Sequence, residues 1–187
     1  ESFGTGSDHI REKDGLWAIV AWLNILAFAN KEHAGTSVAD VLQAHYKQYG
    51  RNFFSRYDYE EVESAGAQTM MSELRAKVTD PAFLGSTQGS FKVAEAGDFS
   101  YTDPIDHSVS KNQGLYVRME DGSRIVFRLS GTGSAGATIR LYVEKYSSMA
   151  AEYAADVQEA LRPIIDVALQ LSALQRHTGR KEPTVIT

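Results

Sequence analysis

The sequence predicts an α+β fold, in which an antiparallel sheet is flanked by helices and preceded by two helices of a separate unit. Apolar and polar residues alternate in three runs between residues 115 and 143, a pattern typical of antiparallel strands. The Asp121-Gly122 dipeptide between the first two runs is a strong signal for a tight hairpin turn. Helical periodicity on both sides of these runs predicts the flanking helices.

Two helices are expected before the sheet begins. Asp14 is a suitable N-cap for an apolar helix over residues 15–29. Ser37 and Asp40 have capping-box spacing at the start of a second helix, which ends near Gly50. Two helices alone cannot enclose a hydrophobic core, so we expect the remainder of their domain to lie upstream in a longer protein.

The predicted domain boundary follows from this argument. We assign residues 1–48 to the C-terminal part of one domain and residues 49–187 to a second domain. The chain opens on a glycine-rich segment and not on methionine. We therefore expect it to be a fragment that follows further domains.

The second domain is expected to open with a strand and a helix. Residues 52–57 are rich in Phe and Tyr and suit a strand. Asp58 and Glu61 have capping-box spacing, so we expect a helix to start there and to end before Pro81.

A short strand is expected at residues 91–95, mostly irregular chain at 97–112 and another strand at 115–119. The apolar residues that alternate along the two following strands are Ile125, Phe127, Leu129, Ile139, Leu141 and Val143. These strands complete the predicted antiparallel sheet.

The chain is expected to finish with a long helix over residues 149–177, kinked or restarted at Pro163. Gly179 is its expected C-cap, since glycine readily adopts the left-handed conformation that ends helices.

Composition limits what the chain binds. Its 187 residues carry a formal net charge of −5 and include no cysteine. A negative chain has no general field that attracts nucleic acid or acidic lipid, and the lack of cysteine excludes disulfides and thiolate metal sites. With no visible signal peptide and no apolar run that would span a bilayer, we expect a cytoplasmic protein with no nucleic-acid or membrane partner.

Residues 128–140 form the most informative segment. Residues 131–136 match G-x-G-x-x-G, but a dinucleotide fold needs a helix next, and residues 137–146 alternate like a strand. A nucleotide P-loop needs lysine before the Ser/Thr, and here Ala137 precedes Thr138. Both nucleotide interpretations are therefore disfavoured.

The favoured interpretation is a strand, an anion-binding loop and a strand. Closely spaced glycines let backbone N–H groups converge on one point, and Ser130, Thr132 and Ser134 add hydroxyl donors. Arg128 and Arg140 flank the loop and alternate away from the apolar residues. Guanidinium groups suit phosphate oxygens. The alternative is an ordinary tight hairpin with surface arginines.

This segment resembles a known family. Residues 128–138 read Arg-Leu-Ser-Gly-Thr-Gly-Ser-Ala-Gly-Ala-Thr, which is similar to the phosphate-binding loop of the α-D-phosphohexomutase superfamily, and in particular of eukaryotic-type phosphoglucomutases. Residues 1–15 resemble the family's sugar-recognition loop, residues 50–61 the start of its fourth domain, and residues 178–187 its C-terminus. The resemblance therefore extends along the whole chain.

The resemblance implies a fold and a reaction. Family proteins have four domains, and this chain is similar to the end of the third, an α/β domain, and to the whole fourth, an antiparallel sheet flanked by helices. The implied enzyme interconverts glucose 1-phosphate and glucose 6-phosphate through glucose 1,6-bisphosphate, using a phosphoserine and Mg²⁺. Neither the serine loop nor the aspartate-rich metal loop occurs in this sequence. We therefore expect no metal site in this chain and no activity from it alone.

Matching residues carry the implied site. Ser2 matches the serine of the sugar loop, and Lys13 matches a lysine near the reacting oxygens, which implies a catalytic role in proton transfer or in stabilising phosphate charge. The alternative for Lys13 is a solvated lysine at a helix start. The implied partners are a phosphorylated hexose and the upstream domains. The residues implied to bind the substrate phosphate are Arg128, Ser130, Gly131, Thr132, Gly133 and Arg140.

Two other functions fit the same motifs. A non-catalytic relative with a structural or adhesion role would share them, and it would differ in the upstream serine loop. A free-standing phosphosugar-binding module would need no upstream domains, but the two unpartnered helices at the N-terminus argue against it.

Overall fold

The computed structural model describes residues 14–133 and 136–187, which divide into two compact units. The first unit ends at Gly50 and also includes Ser148–Tyr153, and the second contains Arg51–Ser147 and Ala154–Thr187. Which domain of the resembled family each unit represents stays a prediction. Within the described ranges, no helix has the length and apolar character that a membrane crossing requires.

The first unit contains α1 (Gly15–Glu32) and α2 (Val38–Tyr49). The carboxylate of Asp14 accepts a hydrogen bond from the amide of Trp17 at 2.9 Å, and Ser37 opens α2 with a capping box, so both predicted caps are confirmed. Neither helix contains a buried residue. An apolar helix such as α1 is stable when other elements of the protein cover it. Large apolar side chains that α1 exposes include Leu16, Ile19, Leu23 and Phe28.

Strands and helices are mixed along the second unit. The elements in chain order are β1 (Arg51–Val62), α3 (Ser64–Val78), β2 (Thr87–Gln88), β3 (Phe91–Asp98), β4 (Tyr101–Thr102), β5 (Val109–Ser110), β6 (Leu115–Met119), β7 (Arg124–Gly133), β8 (Gly136–Ser147), α4 (Val157–Ser172), α5 (Leu174–Thr178) and β9 (Val185–Ile186). Seven of these strands form one sheet in the order β2-β3-β6-β7-β8-β1-β9, and neighbouring strands pair antiparallel. The predicted α+β class is confirmed.

The core lies on one face of the sheet. Tyr57, Leu141 and Phe127 are direct neighbours across β1, β8 and β7, and all three are buried. The buried sides of α3 and α4 belong to the same hydrophobic cluster. Because successive side chains of a strand point to opposite faces, the residue after each of these three lies on the other face of the sheet.

The predicted helix start at Asp58 and Glu61 is wrong. Both residues lie in β1, and α3 begins only at Ser64, with no side-chain cap. β1 pairs with β8 along most of its length, so the sheet satisfies the backbone groups that a capped helix would have satisfied. Long-range pairing therefore outweighs the local capping signal.

The last helical region also differs from its prediction. It begins at Val157, later than expected, where the carboxylate of Asp156 accepts hydrogen bonds from the first turn. The helix continues through Pro163, and the break comes instead at Ala173, a left-handed residue with φ 48°. Gly179 caps α5 as predicted.

Burial of Tyr59 generates a prediction about alkaline stability. Tyr59 is only 2% exposed, and burial, followed by the charges of Tyr57 and Glu182, raises the pKa of its phenol from 10.0 to about 12. The stabilisation from the neutral phenol is therefore complete below about pH 10 and is lost as pH rises through about 12. We expect ionisation of this residue to lower the unfolding free energy by about 2 kcal/mol between pH 10 and 12.

Urea unfolding between pH 9 and 12 measures the effect. Tyr59→Phe should show a shallower loss of stability than the wild type, whereas Tyr101→Phe, at an exposed position, should follow the wild type. A Tyr59→Phe profile that coincides with the wild type would contradict the assignment.

Candidate functional site

Residues 128–140 form the far end of the β7–β8 hairpin. β7 continues to Gly133 and β8 begins at Gly136, so the two strands extend through most of the segment expected to be a loop. The connecting residues 134–135 lie outside the described part of the chain. The described backbone is therefore that of two paired strands, and any anion site here is built on them.

A bulge interrupts the hairpin ladder beside its end. The register shifts between Ser130 and Thr132, and Gly131 between them has φ 65°. This left-handed conformation favours glycine, and the extra residue of a bulge is left outside regular strand pairing. The bulge thus leaves the backbone of Gly131, the residue after Ser130, outside the regular ladder.

Two arginines face each other across the hairpin. Arg128 on β7 is directly opposite Arg140 on β8, and Ser130 is directly opposite Thr138 on the same face. Arg128 is exposed and Arg140 half-buried. Like charges directly opposite each other destabilise a strand pair. A bound anion would remove this repulsion.

A buried carboxylate lies on the other side of Arg140. Asp58 on β1 is directly opposite Arg140 on β8, and it is only 3% exposed. Its Oδ2 lies 3.7 Å from Nε of Arg140, and its Oδ1 lies 2.9 Å from Nε of Arg56. A buried charge is costly unless it is paired. These two arginines supply ion pairs, while Oδ1 of Asp58 and Nε of Arg140 make no hydrogen bond within the described residues.

The arginines therefore differ in their surroundings. Within residues 14–133 and 136–187, Arg140 has Asp58 as an acidic partner, whereas no acidic side chain forms an ion pair with Arg128. Arg124, four residues before Arg128 on the same strand, pairs with Glu144 at 2.5 Å. The unneutralised positive charge is thus concentrated at the end of the hairpin.

The start of β8 rests against an irregularity in β1. Glu61 has φ 53°, beside a register shift that precedes Val62. Gly136 has φ 94°, and a Cβ added to it would lie 3.1 Å from Cα of Glu61. On the other side, a terminal nitrogen of Arg180 donates to the carbonyl of Glu60 at 3.0 Å. β1 and the C-terminal segment thereby fix where the hairpin end lies.

The structure brings together some of the site residues predicted from the sequence. Ser2 and Lys13 lie outside the described residues. Within the ranges described, no group of three or more His, Asp or Glu side chains is arranged to hold a metal ion. The absence of a metal site from the whole chain stays a prediction. The predicted phosphate-binding residues that share the hairpin end are Arg128, Ser130, Gly131, Arg140 and the backbone of Thr132 and Gly133.

The family described as "Phosphoglucomutase-1, C-terminal domain" matches residues 51–184. The chain belongs to the phosphoglucomutase-1 family. Phosphoglucomutase-1 of Homo sapiens is 56% identical over 191 residues, covering 100% of this chain and 33% of its own length. The phosphoglucomutase of Schizosaccharomyces pombe is 56% identical over 189 residues, and the match covers 100% of this chain and 34% of the relative's length. A chloroplastic phosphoglucomutase of Solanum tuberosum is 55% identical, and the match covers 100% of this chain and 30% of the relative's length.

A solved phosphoglucomutase structure gives the same result. The open form of parafusin, an exocytosis-sensitive phosphoprotein and phosphoglucomutase from Paramecium, has a TM-score of 0.81 and 49% sequence identity. The match covers 98% of this chain and 31% of that one. The chain therefore spans about a third of the length of its phosphoglucomutase relatives, and the resemblance to a C-terminal portion is confirmed.

The contact between Gly136 and Glu61 generates a second prediction. Gly136→Ala adds strain from the positive φ and forces Glu61 to move, so we expect a loss of about 1–3 kcal/mol of unfolding free energy. Gly122→Ala is a matched control, because Gly122 has φ 86° but nothing within 4 Å of its added Cβ. Chemical denaturation of both variants measures the difference. Equal losses in the two variants would show that the Glu61 contact does not matter.

Proposed function

We propose that the end of the β7–β8 hairpin binds a phosphate group of a hexose phosphate, as part of a phosphoglucomutase. The observation that carries this proposal is the direct opposition of Arg128 and Arg140 on one sheet face. Opposed cations are unfavourable in the empty hairpin. They suit a doubly charged anion, to which each guanidinium can donate two parallel hydrogen bonds.

The neighbouring groups favour phosphate over a carboxylate. The hydroxyl of Ser130 and the bulge at Gly131 lie one step along the hairpin from Arg128. A phosphate has more acceptor oxygens than a carboxylate, so additional donors around the arginines stabilise it selectively. None of these donors reads the sugar. One site of this kind can therefore hold the phosphate at either end of the hexose.

The reaction belongs to the longer protein, because this chain covers about a third of its relatives. We propose that the whole enzyme interconverts glucose 1-phosphate and glucose 6-phosphate through glucose 1,6-bisphosphate. The phosphoserine and the Mg²⁺ site would lie in the upstream domains. Mg²⁺ would stabilise charge on the transferred phosphoryl group, and the described residues of this chain do not form a site for it.

The proposed role of this chain is to hold the phosphate that is not being transferred. Such an interaction is made equally in the ground state and in the transition state, so it acts mainly on KM. Ser2 as a sugar contact and Lys13 as a proton-transfer or phosphate-stabilising residue stay proposals drawn from the family resemblance. The non-catalytic alternative also stands, and the upstream serine loop discriminates between the two.

The cytoplasmic location also stays a proposal. The absence of cysteine is compatible with it. Relatives of similar identity, however, include proteins named as chloroplastic. The phosphorylated hexose and the upstream domains are the proposed partners.

Substitution of the arginines tests the phosphate site in the full-length enzyme. We expect Arg128→Ala and Arg140→Ala each to lower kcat/KM about ten-fold or more, because a charge-assisted hydrogen bond contributes roughly 1.5–3 kcal/mol. Arg124→Ala is the control, since Arg124 lies on the same strand and face but is paired with Glu144. Steady-state kinetics with glucose 1-phosphate measure all three. Wild-type kcat/KM in Arg128→Ala would contradict the proposal.

The division of labour between domains gives another prediction. The chain of 187 residues alone should not convert glucose 1-phosphate, because its sequence contains neither the serine loop nor the aspartate-rich metal loop of the resembled family. A coupled assay that detects glucose 6-phosphate measures this, with the full-length enzyme as positive control. Turnover by the purified chain above a buffer blank would refute it.

A further inference from the structure

We propose that Asp58 is a positioning residue, which holds the guanidinium of Arg140 in the orientation that binds the substrate phosphate. This inference rests on the proposed function, since it concerns how the same phosphate site is organised. Neither the capping signal at Asp58 nor the family motif indicates this role. It follows from the placement of β1 beside β8.

The backbone of Asp58 is held from both sides. β1 pairs with β8 on one side, where Asp58 is opposite Arg140, and with β9 on the other, where Asp58 is opposite Val185. The amide of Thr184 donates to the carbonyl of Asp58 at 2.7 Å. The side chain is 5% exposed, so the carboxylate is held within the sheet.

The ion pair engages the inner side of the Arg140 guanidinium. Nε of Arg140 lies 3.7 Å from Oδ2 of Asp58, so the contact is an ion pair and is too long for a hydrogen bond. A guanidinium has five N–H donors in a planar fork, so the pair leaves the two terminal nitrogens to donate to a ligand. Restricting the rotation of the long side chain before binding reduces the entropy lost when phosphate binds.

The opposing effect of Asp58 is electrostatic repulsion of the phosphate. Arg56 offsets it, because Nε of Arg56 lies 2.9 Å from the carboxylate and is closer than Arg140. On this face of the sheet, Asp58 lies between Arg56 on its own strand and Arg140 on β8, and Arg128 lies beyond Arg140 on β7. We infer that orientation of Arg140 outweighs repulsion, and that removing the carboxylate weakens phosphate binding.

Asp58→Asn in the full-length enzyme tests this inference. We expect KM for glucose 1-phosphate to rise about three- to ten-fold, the range typical of coupled neighbours, with kcat nearly unchanged. In the Arg140→Ala background the same substitution should change KM no further, because Asp58 acts through Arg140. A purely structural defect would instead persist in that background. If Asp58→Asn does not fold, Asp58→Glu takes its place in the same cycle.

Glu144→Gln is the matched control. It removes the carboxylate of the Arg124–Glu144 pair, which joins β7 and β8 on the same face of the sheet as Asp58, and it should leave KM unchanged. Two results would overturn the inference, provided that Arg140→Ala raises KM. One is a wild-type or lowered KM in Asp58→Asn, and the other is an equal rise of KM from Asp58→Asn with and without Arg140. If Arg140→Ala itself had no effect, the proposed phosphate site would fail as well.

Discussion

β8 is paired on one side with β7 and on the other with β1, and the register of these two ladders determines what each face of the sheet presents. In one row, Tyr57, Leu141 and Phe127 enter the core. Because side chains alternate, the adjacent row of Asp58, Arg140 and Arg128 must lie on the opposite face. A slip of one residue would exchange the two rows.

Energetic magnitudes explain why this register is kept. Burying a large apolar side chain contributes roughly 1.5–3 kcal/mol, whereas an unfavourable cross-strand pair costs about 1 kcal/mol or less. Three buried side chains therefore outweigh the repulsion between Arg128 and Arg140. The core holds two cations together that would otherwise separate, and this stored repulsion is what an anion relieves on binding.

The site is local in a chain that is negative overall. The formal net charge of −5 excludes a general attraction for anions, so an anionic ligand depends on a cluster of unneutralised donors. Glu144 pairs with Arg124 at the start of β7, and Asp58 is shared between Arg56 and Arg140. Selective pairing of this kind leaves the hairpin end as the positive region.

Local patterns were sufficient for part of this structure. Alternation predicted β7 and β8 and placed Arg128 and Arg140 away from the core, and the caps at Asp14 and Ser37 were correct. Asp58 was misassigned because its capping spacing is local, whereas its partner Arg140 is distant in sequence. Neighbouring residues do not encode which strand pairs with which.

Backbone features were equally hidden from the sequence pattern. The left-handed turn at Ala173, which ends α4, carries none of the usual glycine or asparagine signal. Conversely, Pro163 suggested a break that helix packing in the core overrides. The closely spaced glycines near Gly131 indicated an irregular loop, whereas the structure has a bulged hairpin there.

The most direct measurement is a structure of the full-length enzyme with glucose 1,6-bisphosphate bound. We expect one phosphate to lie at the β7–β8 hairpin end, with its oxygens about 2.7–2.9 Å from nitrogens of both Arg128 and Arg140. The Arg140 guanidinium should remain beside Asp58 in that complex. A bisphosphate whose two phosphates both lie away from these arginines would contradict the assignment of this hairpin as the phosphate site.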